Sequence, residues 1–231
     1  GVLRSLQALQ ILNNFGHGKW FRKPDANLLL NNLEWKIQDA NKNSVLFFKS
    51  TKNLEIKKLL KTLNAKTVGL VIVDSKETAA ELAADVATYI CENNSWMTLQ
   101  YELANSFYPI PDGIKFIAVT GTNGKTSTVN FFSQLMSMHN LSCLSFGTLG
   151  IYYNNSKVND VALTSPSYID FRKSISLYAK PQDTVAFEMS SHALDQKRFY
   201  KINLNSAAWT SFSCRCYLDQ LCFDHGEFFG V

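Results

Sequence analysis

The sequence predicts an α/β protein: a small N-terminal α/β domain, then a doubly wound, mostly parallel sheet around a phosphate-binding loop, the second domain incomplete. Three observations predict it. Apolar runs alternate with segments of helical spacing, the pattern of parallel strands and crossover helices. One run, Lys115 to Thr120, stops at Gly121-Thr122-Asn123-Gly124, and Lys125-Thr126 then opens a helical pattern. Between the halves, Tyr108-Pro109-Ile110-Pro111-Asp112-Gly113 joins two prolines to Asp-Gly, strong punctuation. The boundary is set there, giving domains at residues 1–110 and 111–231.

Residues 3–14 read as a helix with Leu3, Leu6, Leu9, Ile11 and Leu12 near one stripe. Asn13 to Asn32 reads as loop, because Gly16, Gly18 and Pro24 interrupt it. Val45-Leu46-Phe47-Phe48 marks a short buried strand, and Leu54 to Leu63 has helical spacing. Thr67 to Asp74 is an apolar run typical of a buried parallel strand. Ser75 is placed to cap a helix running through Ile90, and a further helix covers Met97 to Phe107.

In the second half, helix 125–139 sets Val129, Phe132, Leu135, Met136 and Met138 mostly toward the core. Leu141 to Phe146 is the next strand, ending in Gly147-Thr148-Leu149-Gly150. Ile151 to Tyr153 and Val158 to Leu163 form a hairpin around Asn154-Asn155. A helix over Ser167 to Tyr178, a buried strand over Thr184 to Met189 and a short strand over Ser206 to Thr210 follow.

Composition sets bounds. The 231 residues are 46% hydrophobic and 18% charged, ordinary for a soluble protein, and no apolar run is long enough to span a bilayer. A net charge of +4, not gathered in one block, gives no argument for nucleic acid and suits an anionic small substrate. Five cysteines are an odd count for a disulfide framework, and Cys91 and Cys143 fall in segments that read as buried. A reducing cytoplasm and a monomer are the expectation. Leu3 to Leu12 is too short and polar for a signal peptide, and the opening Gly1 points to a start upstream.

The loop carries the clearest chemistry. Glycines let the backbone approach phosphate, and free N–H groups at a helix start favour an anion. Gly121, Thr122, Asn123, Gly124, Lys125, Thr126 and Ser127 are the expected ATP-binding residues, with Lys125 on the β and γ phosphates and Thr126 on Mg²⁺. Val119 stands where the usual first glycine belongs. The alternative is a strand-to-helix turn with a chance Gly-Lys-Thr. In open α/β sheets ligands collect at the carboxyl ends of strands. Glu188 closes a hydrophobic strand, where a buried carboxylate needs a partner such as Mg²⁺; a helix cap or an ion pair is the alternative. Arg198 could bind a carboxylate or phosphate bidentately, or be a solvated helix end. Ser190-Ser191-His192 lacks the G-x-S-x-G surroundings of a hydrolase nucleophile.

T-G-T-N-G-K-T-S-T after a strand, then S-F-G-T-L-G, then L-T-S-P, then E-M-S-S-H-A-L-D-Q-K-R, in that order, resembles the Mur ligase family, nearest the MurE type, UDP-N-acetylmuramoyl-tripeptide synthetase. The resemblance covers about Lys115 to Thr210. It implies a uridine-binding N-terminal domain, a central ATPase domain and a C-terminal amino-acid-binding domain. It also implies ATP-driven ligation of an amino acid to UDP-MurNAc-L-Ala-D-Glu in peptidoglycan precursor synthesis, through an acyl phosphate. By resemblance, Lys125 and Glu188 are catalytic, Thr126 and Glu188 hold Mg²⁺, and Thr164, Ser165, Ser190, Gln196 and Arg198 hold the UDP-MurNAc-dipeptide.

Two departures from the family pattern follow. Lys36-Ile37-Gln38 stands where the family often has Asp-Ser-Arg, and where the family continues after Thr210 with a Thr-Asn pair and an Asp-His-Leu-Asp-Tyr-His segment, this chain reads Thr210-Ser211-Phe212-Ser213-Cys214. From about residue 213 the tail no longer follows the family; Cys214, Cys216, Cys222 and His225 have no metal-site spacing there. The expectation is a truncated or frame-shifted end without the carbamylated lysine or the amine-binding domain, hence a marginally stable chain that does not complete ligation. A nucleotide-binding remnant and a folylpolyglutamate-synthase-like ligase are the competing readings; the S-S-H-A-L-D-Q-K-R run argues against the latter.

Overall fold

The computed structural model describes residues 2–25, 27–49, 60–63, 67–161, 163–199 and 201–211. The chain divides into two compact units, Gly1–Pro109 and Ile110–Val231. Both are α/β, each with one mostly parallel sheet.

The first unit holds α1 (Val2–Asn14), β1 (Gly18–Arg22), β2 (Asn32–Glu34), β3 (Ser44–Phe48), β4 (Leu70–Val73), α2 (Lys76–Glu81), β5 (Ala87–Cys91) and α3 (Trp96–Phe107). Its sheet order is β1-β5-β4-β3-β2. Strands β2 to β5 run parallel, and β1 joins antiparallel at the edge. β3 and β4 are buried throughout, as the apolar runs Val45 to Phe48 and Leu70 to Val73 require. The Leu54 to Leu63 helix lies mostly outside the described residues; 60–63 are helical, with Leu60 and Leu63 in the core.

Three expectations are corrected in this unit. The helix capped by Ser75 does not reach Ile90. Ser75 does cap it, accepting from Thr78 N at 3.1 Å, but it ends at Glu81. Arg22 gathers the carbonyls at that end, donating to Ala79 O at 3.2 Å, Leu82 O at 3.1 Å and Ala83 O at 2.9 Å. A cation there suits the helix dipole. Ala87–Cys91 then becomes the strand between β4 and β1, in keeping with its β-branched and aromatic Thr88, Tyr89 and Ile90. Second, the segment read as loop contains β1, whose Gly18 lies against the Tyr89 ring where a Cβ would collide. Third, α1 buries Ser5, Ala8 and Leu12, leaving Leu3 and Leu6 exposed. Ser5 sets that face: its hydroxyl accepts from Leu30 N at 2.7 Å.

The second unit holds β6 (Lys115–Thr120), α4 (Lys125–Met138), β7 (Cys143–Gly147), β8 (Gly150–Tyr153), β9 (Ser156–Asn159), α5 (Tyr168–Tyr178), β10 (Thr184–Glu188), α6 (Ser191–Asp195) and β11 (Ser206–Trp209). Strand order is β11-β6-β10-β7-β8-β9; β11, β6, β10 and β7 are parallel, and β8 and β9 continue antiparallel. Asn154 and Asn155 turn that hairpin with φ of 49° and 64°, the left-handed pair a two-residue turn requires. Its second strand is shorter than expected, ending at Asn159.

Alternation along the strands divides the core between two faces. On one, Val119, Cys143 and Ala186 pack with Val129 of α4, flanked by Phe132 and Met136. On the other, Phe171 of α5 meets Phe146 at 4.8 Å, Phe187 at 5.0 Å and Phe199 at 5.0 Å between ring centres. Helices on both faces make the sheet doubly wound. Leu135 and Met138 are not core residues: they are 54% and 77% exposed, because the buried stripe of α4 runs through Val129 and Ser133. Among the described residues no helix is long and apolar enough to cross a membrane.

Candidate functional site

The parallel strands β6, β10 and β7 end side by side: Gly121 to Ser127 follow β6 and Glu188 to Arg198 end and follow β10, while Thr164 and Ser165 lie between β9 and α5. Beyond β6 the chain turns through Gly121 and Gly124, with φ of 134° and 85°. Gly124 caps α4, and Thr128 N donates to its carbonyl at 2.9 Å. Thr126 and Ser127 lie in the first helical turn, where backbone N–H groups lack helical acceptors. The Lys125 ammonium folds back on the loop, donating to Gly121 O at 2.6 Å and Thr122 O at 3.2 Å. A lysine that spans the turn this way stands over the place an anion would take.

β10 pairs with β6 so that Glu188 is opposite Val119, two residues before Gly121. The Glu188 side chain is buried, 1% exposed. Thr148, just past β7, satisfies it: Thr148 N donates to Oε1 at 2.8 Å and the Thr148 hydroxyl to Oε2 at 3.3 Å. Gly147 makes room, since a Cβ there would collide with Glu188 Oε1. Among the described residues its hydrogen-bond donors are neutral, an environment to which a cation is well suited.

The five residues expected to hold the substrate, Thr164, Ser165, Ser190, Gln196 and Arg198, form a connected group. Thr164 Oγ1 is 3.3 Å from Thr148 Oγ1. The Ser165 hydroxyl donates to Glu188 O at 2.9 Å and accepts from Ser190 N at 3.0 Å. Ser190 caps α6 by accepting from Ala193 N at 3.2 Å. A left-handed Lys197, φ 53°, turns the chain so that Arg198 Nε donates to Gln196 Oε1 at 2.8 Å. Arg198 Nη1 donates to Ser165 O at 2.6 Å, and burial lowers its pKa from the ordinary arginine value. The group thus joins the turn after β10 to the segment before α5.

Three residues of the site escaped sequence reasoning. Thr148 sat inside a quoted motif without a role. Thr210 enters the sequence reading only as the end of the last strand, and Ser211 only as a departure from a family pattern. The Thr210 hydroxyl donates to Thr120 O at 3.1 Å and to Asn123 O, and the Ser211 hydroxyl accepts from Asn123 N at 2.9 Å. The signal was positional: both residues follow β11, a short strand that pairs with β6.

A parallel sheet with helices on both faces and a glycine turn opening into Lys-Thr at a helix start defines an α/β domain of the phosphate-loop class. Comparison with known proteins carries this further. Residues 119–215 match the Mur ligase middle domain, so the chain carries a domain of the Mur ligase family. Over 178 residues the chain is 34% identical to the UDP-N-acetylmuramoyl-L-alanyl-D-glutamate--2,6-diaminopimelate ligase of Rickettsia felis (strain ATCC VR-1525 / URRWXCal2), covering 75% of this chain and 32% of that protein. It is 32% identical over 191 residues to the ligase of that name from Rickettsia typhi (strain ATCC VR-144 / Wilmington), covering 81% and 37%. A solved structure of a ligase with this name superposes with a TM-score of 0.61 at 20% identity, over 82% of this chain and 38% of that one, which establishes the common fold. The chain spans about a third of the length of these relatives.

Proposed function

We propose that this chain provides the ATP-binding and muropeptide-binding part of an ATP-dependent amide ligase, which joins an amino acid to UDP-MurNAc-L-Ala-D-Glu in peptidoglycan precursor synthesis. The observation that carries the reading is the phosphate-type loop ending at Lys125 beside the buried Glu188, on adjacent parallel strands. The names of the relatives point to 2,6-diaminopimelate as the amino acid. In this reading the first unit is the uridine-nucleotide-binding domain, the second is the ATPase domain, and the reaction is cytoplasmic. Two buried free thiols, Cys91 and Cys143, suit a reducing compartment.

The residues divide the work. Gly121 to Ser127 present backbone N–H groups to the phosphates of ATP, and Lys125 leaves its two carbonyls to neutralise the β and γ phosphates. Thr126 and Glu188 offer hard oxygen donors, which suits Mg²⁺, and they would hold it. When bound, Mg²⁺ offsets charge on the phosphates during transfer. Thr164, Ser165, Ser190, Gln196 and Arg198 orient the dipeptide so that its terminal carboxylate meets the γ phosphate. An acyl phosphate forms, and the amine of the amino acid then displaces phosphate. No described side chain is assigned to that amine.

Calorimetric titration with Mg·ATP tests the loop. Lys125→Ala should weaken binding by about 10- to 100-fold, the loss expected of a charge-assisted contact. Equal affinity for both proteins would refute the assignment. ADP release that requires both UDP-MurNAc-L-Ala-D-Glu and 2,6-diaminopimelate would support the ligase reading, and release indifferent to either would oppose it.

A further inference from the structure

The phosphate-type loop is held by a residue nearly ninety positions further on. Asn123 occupies the middle of the loop, and both sides of its backbone are taken. Its N–H donates to the Ser211 hydroxyl at 2.9 Å, and its carbonyl accepts from the Thr210 hydroxyl. The same Thr210 hydroxyl reaches Thr120 O at 3.1 Å, and Thr210 N donates to that carbonyl at 3.0 Å. Thr210 therefore bridges the last residue of β6 to the loop. The two glycines complete the fit. A Cβ on Gly121 would collide with Thr210 Oγ1, and one on Gly124 would come within 3.3 Å of Thr210 Cβ. The glycines thus admit the backbone to the threonine as well as to any anion.

We infer that Thr210 is a positioning residue for phosphate binding, fixing the turn through Thr120 and Asn123 so that the remaining loop N–H groups converge. The inference rests on the phosphate-loop reading above and adds the residue that shapes the loop from outside it. The geometry explains why β11 matters to the site. Trp209 pairs with Thr120, so the parallel register delivers residue 210 to the mouth of the loop. A carbonyl is the right group to hold, since carbonyls have no use toward phosphate and must be turned away from it. Thr210 is bonded to carbonyls only, whereas Ser211 also engages an N–H. A bound phosphate would compete with Ser211 for that N–H, but not with Thr210.

The test uses the 231-residue chain, Mg·ATP as probe, and the variants Thr210→Val, Thr210→Ser and Lys125→Ala. Thr210→Val keeps the shape and removes the hydroxyl; it should weaken Mg·ATP by about five- to tenfold, the worth of one or two hydrogen bonds. Thr210→Ser should restore affinity to within about twofold of wild type, since it returns the hydroxyl. Thr210→Val should also melt somewhat below Thr210→Ser, since the hydroxyl bonds exist without ligand, so affinity is measured well below both melting temperatures; a loss of affinity that vanishes there would show a merely structural threonine and overturn the positioning role. If Lys125→Ala weakens binding while Thr210→Val matches wild type, the positioning role is overturned and the loop assignment stands. If Lys125→Ala also matches wild type, the loop reading itself has failed. Failure of Thr210→Ser to restore affinity would likewise overturn the role of the hydroxyl.

Discussion

The turns after β6 and β10 leave adjacent parallel strands, yet they are made of different material. The turn after β6 is backbone: two left-handed glycines, a helix start, and a lysine lying on carbonyls. The turn after β10 is side chain: Glu188, Ser190, Gln196 and Arg198, tied to Thr148 and Ser165 from other segments. The first needs its glycines in order and one distant side chain, Thr210, brought to it by β11. The second exists only when three stretches of chain have already folded together. The loop should therefore fail at its glycines and at Thr210 and tolerate other changes around it, while the side-chain site should fail at any of several distant positions.

The largest expected effect is at Gly147, in the side-chain site. Gly147→Ala brings a Cβ against Glu188 Oε1, and that carboxylate is buried with Thr148 as its donor. Denaturant unfolding should show a loss of about 2–3 kcal/mol, the cost of forcing a methyl into a packed site and disturbing a buried charge. Gly16→Ala, where nothing lies within 4 Å, is the control and should change stability little. An equal response at both positions would break the comparison.

Arg198→Ala comes next. It removes the donors to Ser165 O and Gln196 Oε1 and should cost about 1–2 kcal/mol, as expected for charged hydrogen bonds partly open to water. Mg·ATP affinity should stay at the wild-type value, because the loop does not use this arginine. A parallel fall in nucleotide affinity would show that the two turns are one unit.

How much of this was legible in sequence follows the same division. Gly121 to Ser127 could be read because the loop is contiguous and its conformation is written in glycine. Glu188, Ser190 and Arg198 could be placed at a strand end, but their partners Thr148 and Ser165 are fixed only by strand order. Thr210 was invisible as a loop residue, since parallel pairing of β11 with β6 brings it there. The fold shows similar limits. β3 and β4 carry unbroken apolar runs and read correctly, whereas Ala87–Cys91 suits either period until its neighbours β1 and β4 are known. The Gly18–Arg22 edge strand has too little apolar pattern to declare itself. In α1 and α4 the leucines and methionines misled, because small residues, Ser5, Ala8 and Ser133, face the core.

Alkaline pH probes the floor shared by both turns. Cys143 begins β7, packed with Val119 and Ala186 under α4, and burial pushes its thiol from the reference 9.0 up to about 11. The folded protein holds this thiol neutral while the unfolded chain ionises first. Its contribution is fully present below pH about 9 and is lost as pH rises toward 11, so stability should fall by about 1 kcal/mol between pH 8 and 10. Cys91, raised to about 12 mainly by burial, acts with the same sign in the first unit. Unfolding titrations at several pH values, with Cys143→Ala as reference, check this: the variant should show a shallower decline, and an identical decline would remove the cysteine from the account.

The smallest effect sharpens the claim that the loop is a backbone site. Helix α4 carries the loop on its first turn and is held by Val129 and Ser133, with Phe132 and Met136 flanking. Met138 ends the helix 77% exposed. Met138→Lys should change stability by no more than about 0.5 kcal/mol, the ordinary range for a surface position. A lysine near the carboxyl end of a helix also suits the dipole, so any change should be toward stability. Mg·ATP affinity should be unaffected, because nothing in the loop depends on that face. Val129→Ala sets the contrast. It empties part of the cluster with Cys143 and Ala186 and should cost about 1–2 kcal/mol. If Met138→Lys weakens nucleotide binding as much as Val129→Ala weakens the fold, the outer face of α4 is coupled to the loop, and loop geometry is not set by glycines, inner packing and Thr210 alone.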